Sequence, residues 1–271
     1  MNLSERIAEH LASNPGLTDK ELSLIFNKNV AHVNQCCRIL ESKGYIIRKH
    51  NPDKMNGICN YLTGIDIPNV TLPEDNVKMY MPVTIENIEA VDRAVYESAN
   101  YGKENLIIHD VLNAYPANTD LNTVAMKVAV IDLTNSTNIS RYKSKISLYD
   151  IAEMIVSIPN FDERVASGDP KLVNIIANTG RINLFSFASK YCTYHNTEIY
   201  DNDDYSIFDG VVRNTLPHYI KGLKLSEIDK WRLNYDYKSY NDCIGDFLDS
   251  CNIHIKLRRR KFDHFLWYEN R

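Results

Sequence analysis

Apolar positions along this chain recur mostly at intervals of three and four, the period of a helix buried on one face. Leu3, Ile7, Ala8 and Leu11 form the first such stripe, which Asn14, Pro15 and Gly16 end. Thr18 then opens a second helix as a capping box with Glu21, and Leu22, Leu24 and Ile25 supply its core face. Val30, Val33, Cys37 and Leu40 keep the same spacing in a third helix, closed by Lys43 and Gly44. The period then shortens. Tyr45 to Ile47 and Ile58 to Leu62 read as two strands around a turn from Asn51 to Gly57.

Three short helices followed by a two-stranded wing predict a winged helix-turn-helix domain over residues 1–64. Its third helix is expected to expose His32, Asn34, Gln35 and Arg38, with Lys28 at its entrance. Asn, Gln and Arg can pair with two atoms of a base edge in a major groove. Lys28, Arg38, Lys43, Arg48, Lys49 and Lys54 outweigh Glu41 and Asp53 over the same stretch, an excess that suits phosphates. Double-stranded DNA is therefore the expected partner. The other reading is a winged helix used for protein contacts, with its charges merely solvated.

Residues 65–83 carry Pro68, Pro73 and Pro82 without a sustained period, and read as a linker. Beyond them the helical period returns almost without interruption. Helices are expected over Ile85–Ala99, Leu106–Leu112, Val124–Leu133, Leu148–Ile158, Asp162–Ala166 and Lys171–Ala177, with a polar break from Asp132 to Asn138. The fold class is mainly α, with residues 84–271 as an all-α domain.

Composition changes this picture little. Hydrophobic residues make up 44% and charged residues 24%, and Asp and Glu exceed Lys and Arg by 35 to 31. A net charge of −4 leaves any nucleic-acid contact to local basic patches. One such patch is Arg258, Arg259, Arg260 and Lys261, beside Phe262, Phe265 and Leu266 at helical spacing. It reads as a backbone clamp or as a solvated charge run. No apolar run approaches a membrane span and MNLSERIAEH lacks a signal peptide's apolar core, so a cytoplasmic location is expected. The six cysteines form no C-x-x-C, and the histidines show no ligand spacing. Reduced, space-filling thiols and no metal or cofactor are expected.

The stretch from Asn178 to Leu216 carries the candidate chemistry. After the turn at Gly180, an apolar run from Ile182 to His195 reads as a helix, with Asn183, Ser186 and Lys190 as a narrow polar stripe and Tyr191 beside it. An acidic loop follows (Asp201, Asp203, Asp204), expected to be solvated, then a β-prone patch from Tyr205 to Phe208 that ends on Asp209 before another helix. The plain reading makes Lys190 the wet side of an amphipathic helix and Asp209 an N-cap.

The order and nineteen-residue separation of Lys190 and Asp209, with the segment IFDGVVRNTL around Asp209, resemble the helix-hairpin-helix DNA glycosylases of the 8-oxoguanine branch. The resemblance covers roughly the second half of the chain. The family's G-x-G hairpin is absent, Gly180 being the sole glycine there, and Lys190 lies later in its helix than the family's lysine. It implies a helical glycosylase-like domain in which Lys190 attacks the sugar C1′ and Asp209 activates it or stabilises the cationic sugar. Asn183, Ser186 and Tyr191 would then line the pocket for a flipped base. It implies excision of a modified base, with strand cleavage by an AP-lyase step if a Schiff base forms. The reading from a different class is a non-enzymatic DNA-binding regulator whose helical half senses a ligand or dimerises.

Overall fold

The computed structural model describes residues 3–51, 57–63, 80–99, 101–137, 139–142, 144–180 and 182–269. Two compact units divide at Met79 and Tyr80. The expected turn over 52–56, with Lys54, and most of the expected linker over 65–83 lie outside the described residues, as does Asn138.

The first unit runs α1 (Leu3–Ser13), β1 (Leu17–Thr18), α2 (Asp19–Ile25), α3 (Val30–Ser42), β2 (Ile46–Asn51) and β3 (Gly57–Leu62). Its strands form an antiparallel sheet in the order β1-β3-β2. The apolar stripes converge as spaced: Ile7, Ala8, Leu11, Leu22, Val33, Cys37, Leu40 and Ile46 build one core. Leu24 and Ile25, assigned to the core face of α2, are exposed instead; α2 is two turns long and buries only Leu22 and Ser23. The capping box is present, Thr18 Oγ1 accepting the Glu21 N–H at 3.2 Å and Glu21 Oε2 accepting the Thr18 N–H at 2.7 Å.

Asp19 ties the sheet to the helices. Its carboxylate accepts from Arg48, from Asn34 Nδ2 at 2.6 Å and from Asn60 Nδ2 at 3.0 Å. The Arg48 side chain is only 7% exposed. Removing one member of a buried ion pair leaves the other charge uncompensated. Asp19→Ala should therefore destabilise this unit by about 3–5 kcal/mol, read as a lower denaturant midpoint; an unchanged midpoint would mean the cluster carries no net stability.

The second unit is helical throughout its described residues: α4 (Ile85–Glu97), α5 (Tyr101–Ala114), α6 (Leu121–Thr134), α7 (Leu148–Ser157), α8 (Phe161–Ala166), α9 (Lys171–Ala177), α10 (Phe185–Glu198), α11 (Gly210–Tyr219), α12 (Leu225–Leu233), α13 (Tyr237–Ser250) and α14 (Arg258–Glu269), with a 3-10 turn at Ile139–Tyr142. The fold is mainly α. α9 turns into α10 through Gly180, whose φ of +77° is the left-handed region that glycine adopts without strain. The Leu184 N–H closes that turn on the Ala177 carbonyl at 2.9 Å.

α10 is the central helix, with twelve of its fourteen residues buried. It begins at Phe185 rather than Ile182 because Asn183 Oδ1 accepts the Phe185 N–H at 3.0 Å. Tyr205 to Phe208 is buried, yet belongs to no helix and pairs with no strand. Side chains satisfy its backbone instead. Tyr237 Oη accepts the Ser206 N–H at 2.7 Å and donates to the Ser206 carbonyl at 2.8 Å, while Ser189 Oγ accepts the Phe208 N–H at 3.0 Å. No helix of the described residues is long and apolar enough to cross a membrane.

Candidate functional site

The buried segment from Tyr205 delivers Asp209 to the start of α11. There Asp209 Oδ1 accepts the Val212 N–H at 2.9 Å, the N-cap expected from its position. The cap holds the carboxylate in one orientation, and its other oxygen lies 3.6 Å from Lys190 Nζ. Lys190 is not on a wet face: its side chain is 7% exposed and also donates to the Asn135 carbonyl at 3.4 Å. α10 is buried nearly all round, so its polar residues mark internal contacts rather than a solvated stripe.

Lys190 and Asp209 sit where two cavities meet. One, of about 300 Å³, is lined by residues that include Tyr101, Glu104, Tyr194, Arg260, Asp263 and Trp267. The other includes Ser136, Ser186, Gly210 and Asn214. Tyr194 lies one turn beyond Lys190 and donates to Asn135 Oδ1 at 2.8 Å. Arg260 stacks its guanidinium 4.7 Å from the Tyr194 ring centroid and donates to Asn105 at 3.2 Å and Asp263 at 2.9 Å. A continuous polar path thus runs from Arg260 through Tyr194 and Asn135 to Lys190 and Asp209.

Of the three expected base-pocket residues, Ser186 lines the cavity beside Lys190. Asn183 does not: its amide donates to the Arg232 carbonyl at 2.9 Å while its oxygen caps α10. Tyr191 does not either. Its ring is fully buried and its hydroxyl donates to Asn118 Oδ1 at 2.6 Å, a polar cluster that also holds Lys127. Burial pushes the Lys127 ammonium down to about 8 against the opposing charge of Asp162.

The arginine run is not a solvated tail: each arginine has partners within the chain. Arg258 pairs with Asp249, Arg259 donates to Ser206 and to the Asn241 carbonyl at 2.7 Å, and Arg260 is buried in the cavity wall. In the acidic loop Asp201 and Asp204 are exposed, as expected, and Asp203 is not. Asp203 accepts the N–H groups of Arg259 at 2.8 Å and Arg260 at 3.3 Å, starting α14, and burial raises its carboxyl to about 6. Asp201 pairs with Lys256.

In the first unit, Lys28, His32, Gln35, Arg38 and Lys49 are exposed. Asn34 and Arg48 are partly buried and both donate to Asp19.

A family model, HI_0787_N, described as an N-terminal domain, matches residues 77–200. A protein of Haemophilus influenzae, described as uncharacterised, is 27% identical over 142 residues. That match covers 51% of this chain and 64% of the relative, so the chain spans less than two thirds of the relative's length. No solved structure matches. The family match takes in Asn105, Asn135, Lys190 and Tyr194, and ends before Asp209, Arg260 and Asp263.

Sequence reasoning missed Asn135, Tyr194, Asp263 and His264 as members of this site, and read Arg260 as part of a DNA-contacting patch. A signal existed for Arg260, Asp263 and His264: at i, i+3 and i+4 they share one face of α14, interleaved with Phe262, Phe265 and Leu266. Among the described residues no His, Cys, Asp and Glu cluster has the arrangement of a metal site, and the six cysteines are free thiols.

Proposed function

We propose that this chain is a DNA N-glycosylase that uses Lys190 as nucleophile and Asp209 as its partner carboxylate. One observation carries the reading: a buried lysine and a capped aspartate, nineteen positions apart in sequence, meet 3.6 Å apart at a cavity with aromatic walls. Such a pair suits attack on a sugar carbon. Asp209 takes the proton from the lysine, the amine attacks C1′, and the base leaves. The C1′–O4′ bond of this glycosyl amine then breaks, O4′ taking a proton released from the bound nitrogen, and the iminium so formed supports β-elimination of the strand. Tyr101, Tyr194 and Trp267 offer the aromatic surfaces against which an extruded base is held. In this reading α9 (Lys171–Ala177), the Gly180 turn and α10 (Phe185–Glu198) take the part of the helix-hairpin-helix.

The first unit supplies DNA docking in this reading, as a winged helix-turn-helix whose α3 presents Gln35, Arg38 and His32, with Lys28 and Lys49 toward phosphates. Residues 1–79 have a core of their own, so this part can be tested alone. The fragment should bind duplex DNA with an affinity that falls steeply with salt, and Arg38→Ala should weaken it and reduce the salt slope by about 1 if Arg38 meets a phosphate. A folded fragment with no salt-dependent binding removes the docking role.

The enzymatic reading is tested by incubating the full chain with duplexes carrying single modified bases and measuring base release and strand cleavage. Release from at least one such duplex is expected. Duplex binding without release from any of them would favour a DNA-binding regulator.

A further inference from the structure

The cavity beside Lys190 and Asp209 holds two further carboxyl groups, those of Glu104 and Asp263, that the proposed chemistry leaves without a role. Asp263, on α14, lines the same cavity, and its side chain is 12% exposed. We infer that Asp263 is a third reactive group of this site, the carboxylic acid that delivers a proton to the departing base. The inference rests on the glycosylase reading above.

A base leaves C1′ with the electron pair of the glycosidic bond on its ring, and protonating it makes it a better leaving group. Asp209, Arg260, His264 and Tyr194, which line the same cavity, are poorly suited to provide that proton. Asp209 spends one oxygen on the Val212 N–H and turns the other to the lysine, which suits an anion. Arg260 keeps its proton at any working pH. His264 Nδ1 faces Asp92 at 2.6 Å, and burial, aided by Arg260, lowers the ring to about 4, so near neutrality the ring holds a single proton, which the Asp92 carboxylate favours on Nδ1. Tyr194 donates its proton to Asn135.

Asp263 differs. Its Oδ2 accepts from Arg260 at 2.9 Å, leaving Oδ1 to carry a proton. Burial raises this carboxyl to about 7; Arg260 and Lys190 oppose the rise, and Asp209 adds to it. The groups facing it are Arg260 and His264 on its own helix, Lys190 and Tyr194 from α10, Asp209 ahead of α11, Tyr240 from α13 and Glu104 from α5. Two carboxyl groups held in unlike surroundings divide acid and base work between them.

The step balances. The Lys190 ammonium passes a proton to the Asp209 carboxylate, and the freed amine pair forms the bond to C1′. The bond from C1′ to the base breaks with its electrons on the base, which takes the proton of Asp263. Asp263 ends as a carboxylate beside Arg260.

The test is single-turnover base release by the full chain across pH, on a duplex that it processes. The wild-type rate should fall as pH rises through about 7, where Asp263 loses its proton. Asp263→Asn should lose about 100-fold in rate and flatten that alkaline limb, while Asp263→Glu restores both in part. A wild-type rate in Asp263→Asn, or an unchanged limb in it, overturns the inference. Should Asp263→Asn fail to fold, the wild-type profile decides, since a rate with no fall near pH 7 contradicts the assignment. A wild-type chain that releases no base from any duplex overturns the glycosylase reading and this inference together; an active wild type with an unaltered Asp263→Asn profile removes this inference alone.

Discussion

Lys190→Ala is expected to abolish borohydride trapping and strand cleavage together, while duplex binding stays within a few-fold of wild type. The amine is the only part of this chain that the proposed mechanism joins covalently to the sugar, so nothing replaces it when it goes. Its removal also leaves Asp209 without the cation 3.6 Å away. Lys190→Gln is therefore the companion variant: it fills the space and keeps a donor for the Asn135 carbonyl, but cannot form an iminium. Loss in both variants, with native-like unfolding of the second, assigns the defect to chemistry. Full trapping in either contradicts the assignment of the nucleophile.

Asp209→Asn should cost on the order of 10³-fold in base excision, since the cationic sugar then loses the anion nearest the lysine and the lysine loses its proton acceptor. Stability should barely change. Asn caps a helix about as well as Asp, and its oxygen can still accept the Val212 N–H. The two substitutions are most informative side by side. Trapping lost with excision retained in Lys190→Ala would make this a monofunctional glycosylase in which Asp209 guides a water. Full activity in both would leave the DNA-binding regulator as the better account.

What the sequence made legible follows from where the interactions lie along the chain. Local signals read well. The capping box at Thr18, the cap at Asp209 and the helix Lys171–Ala177 each depend on residues within a few positions of one another. Periodicity found α10 but not its burial, because a helix buried on all sides has no polar face to mark; the plain reading of Lys190 as solvated therefore does not hold. α12 and α13 escaped notice for a related reason. The tryptophan and charged residues of α12 blur its stripe, whereas α13 carries a helical stripe of Tyr237, Tyr240, Ile244 and Leu248 that begins on tyrosines, both fully buried with their hydroxyls on the Tyr205–Phe208 backbone.

The arginine run misled in the opposite direction. Charges in a row suggest an exposed patch, yet Arg260 finds Asn105 across 155 positions and Arg259 finds Asp203 across 56. Partners that distant leave no trace in a local window. The same holds for Arg48 and Asn34, which satisfy Asp19 inside the first unit instead of facing outward. The exposed set that remains, Lys28, His32, Gln35, Arg38 and Lys49, is smaller than the sequence suggested.

The central claim is that one particular amine becomes bonded to the sugar. Borohydride reduction during turnover of a modified duplex freezes that bond as a stable amine, and digestion followed by mass spectrometry locates it. The account predicts a single adduct, on the peptide that contains Lys190. An adduct on any other lysine, or on the N-terminal amine, would contradict it.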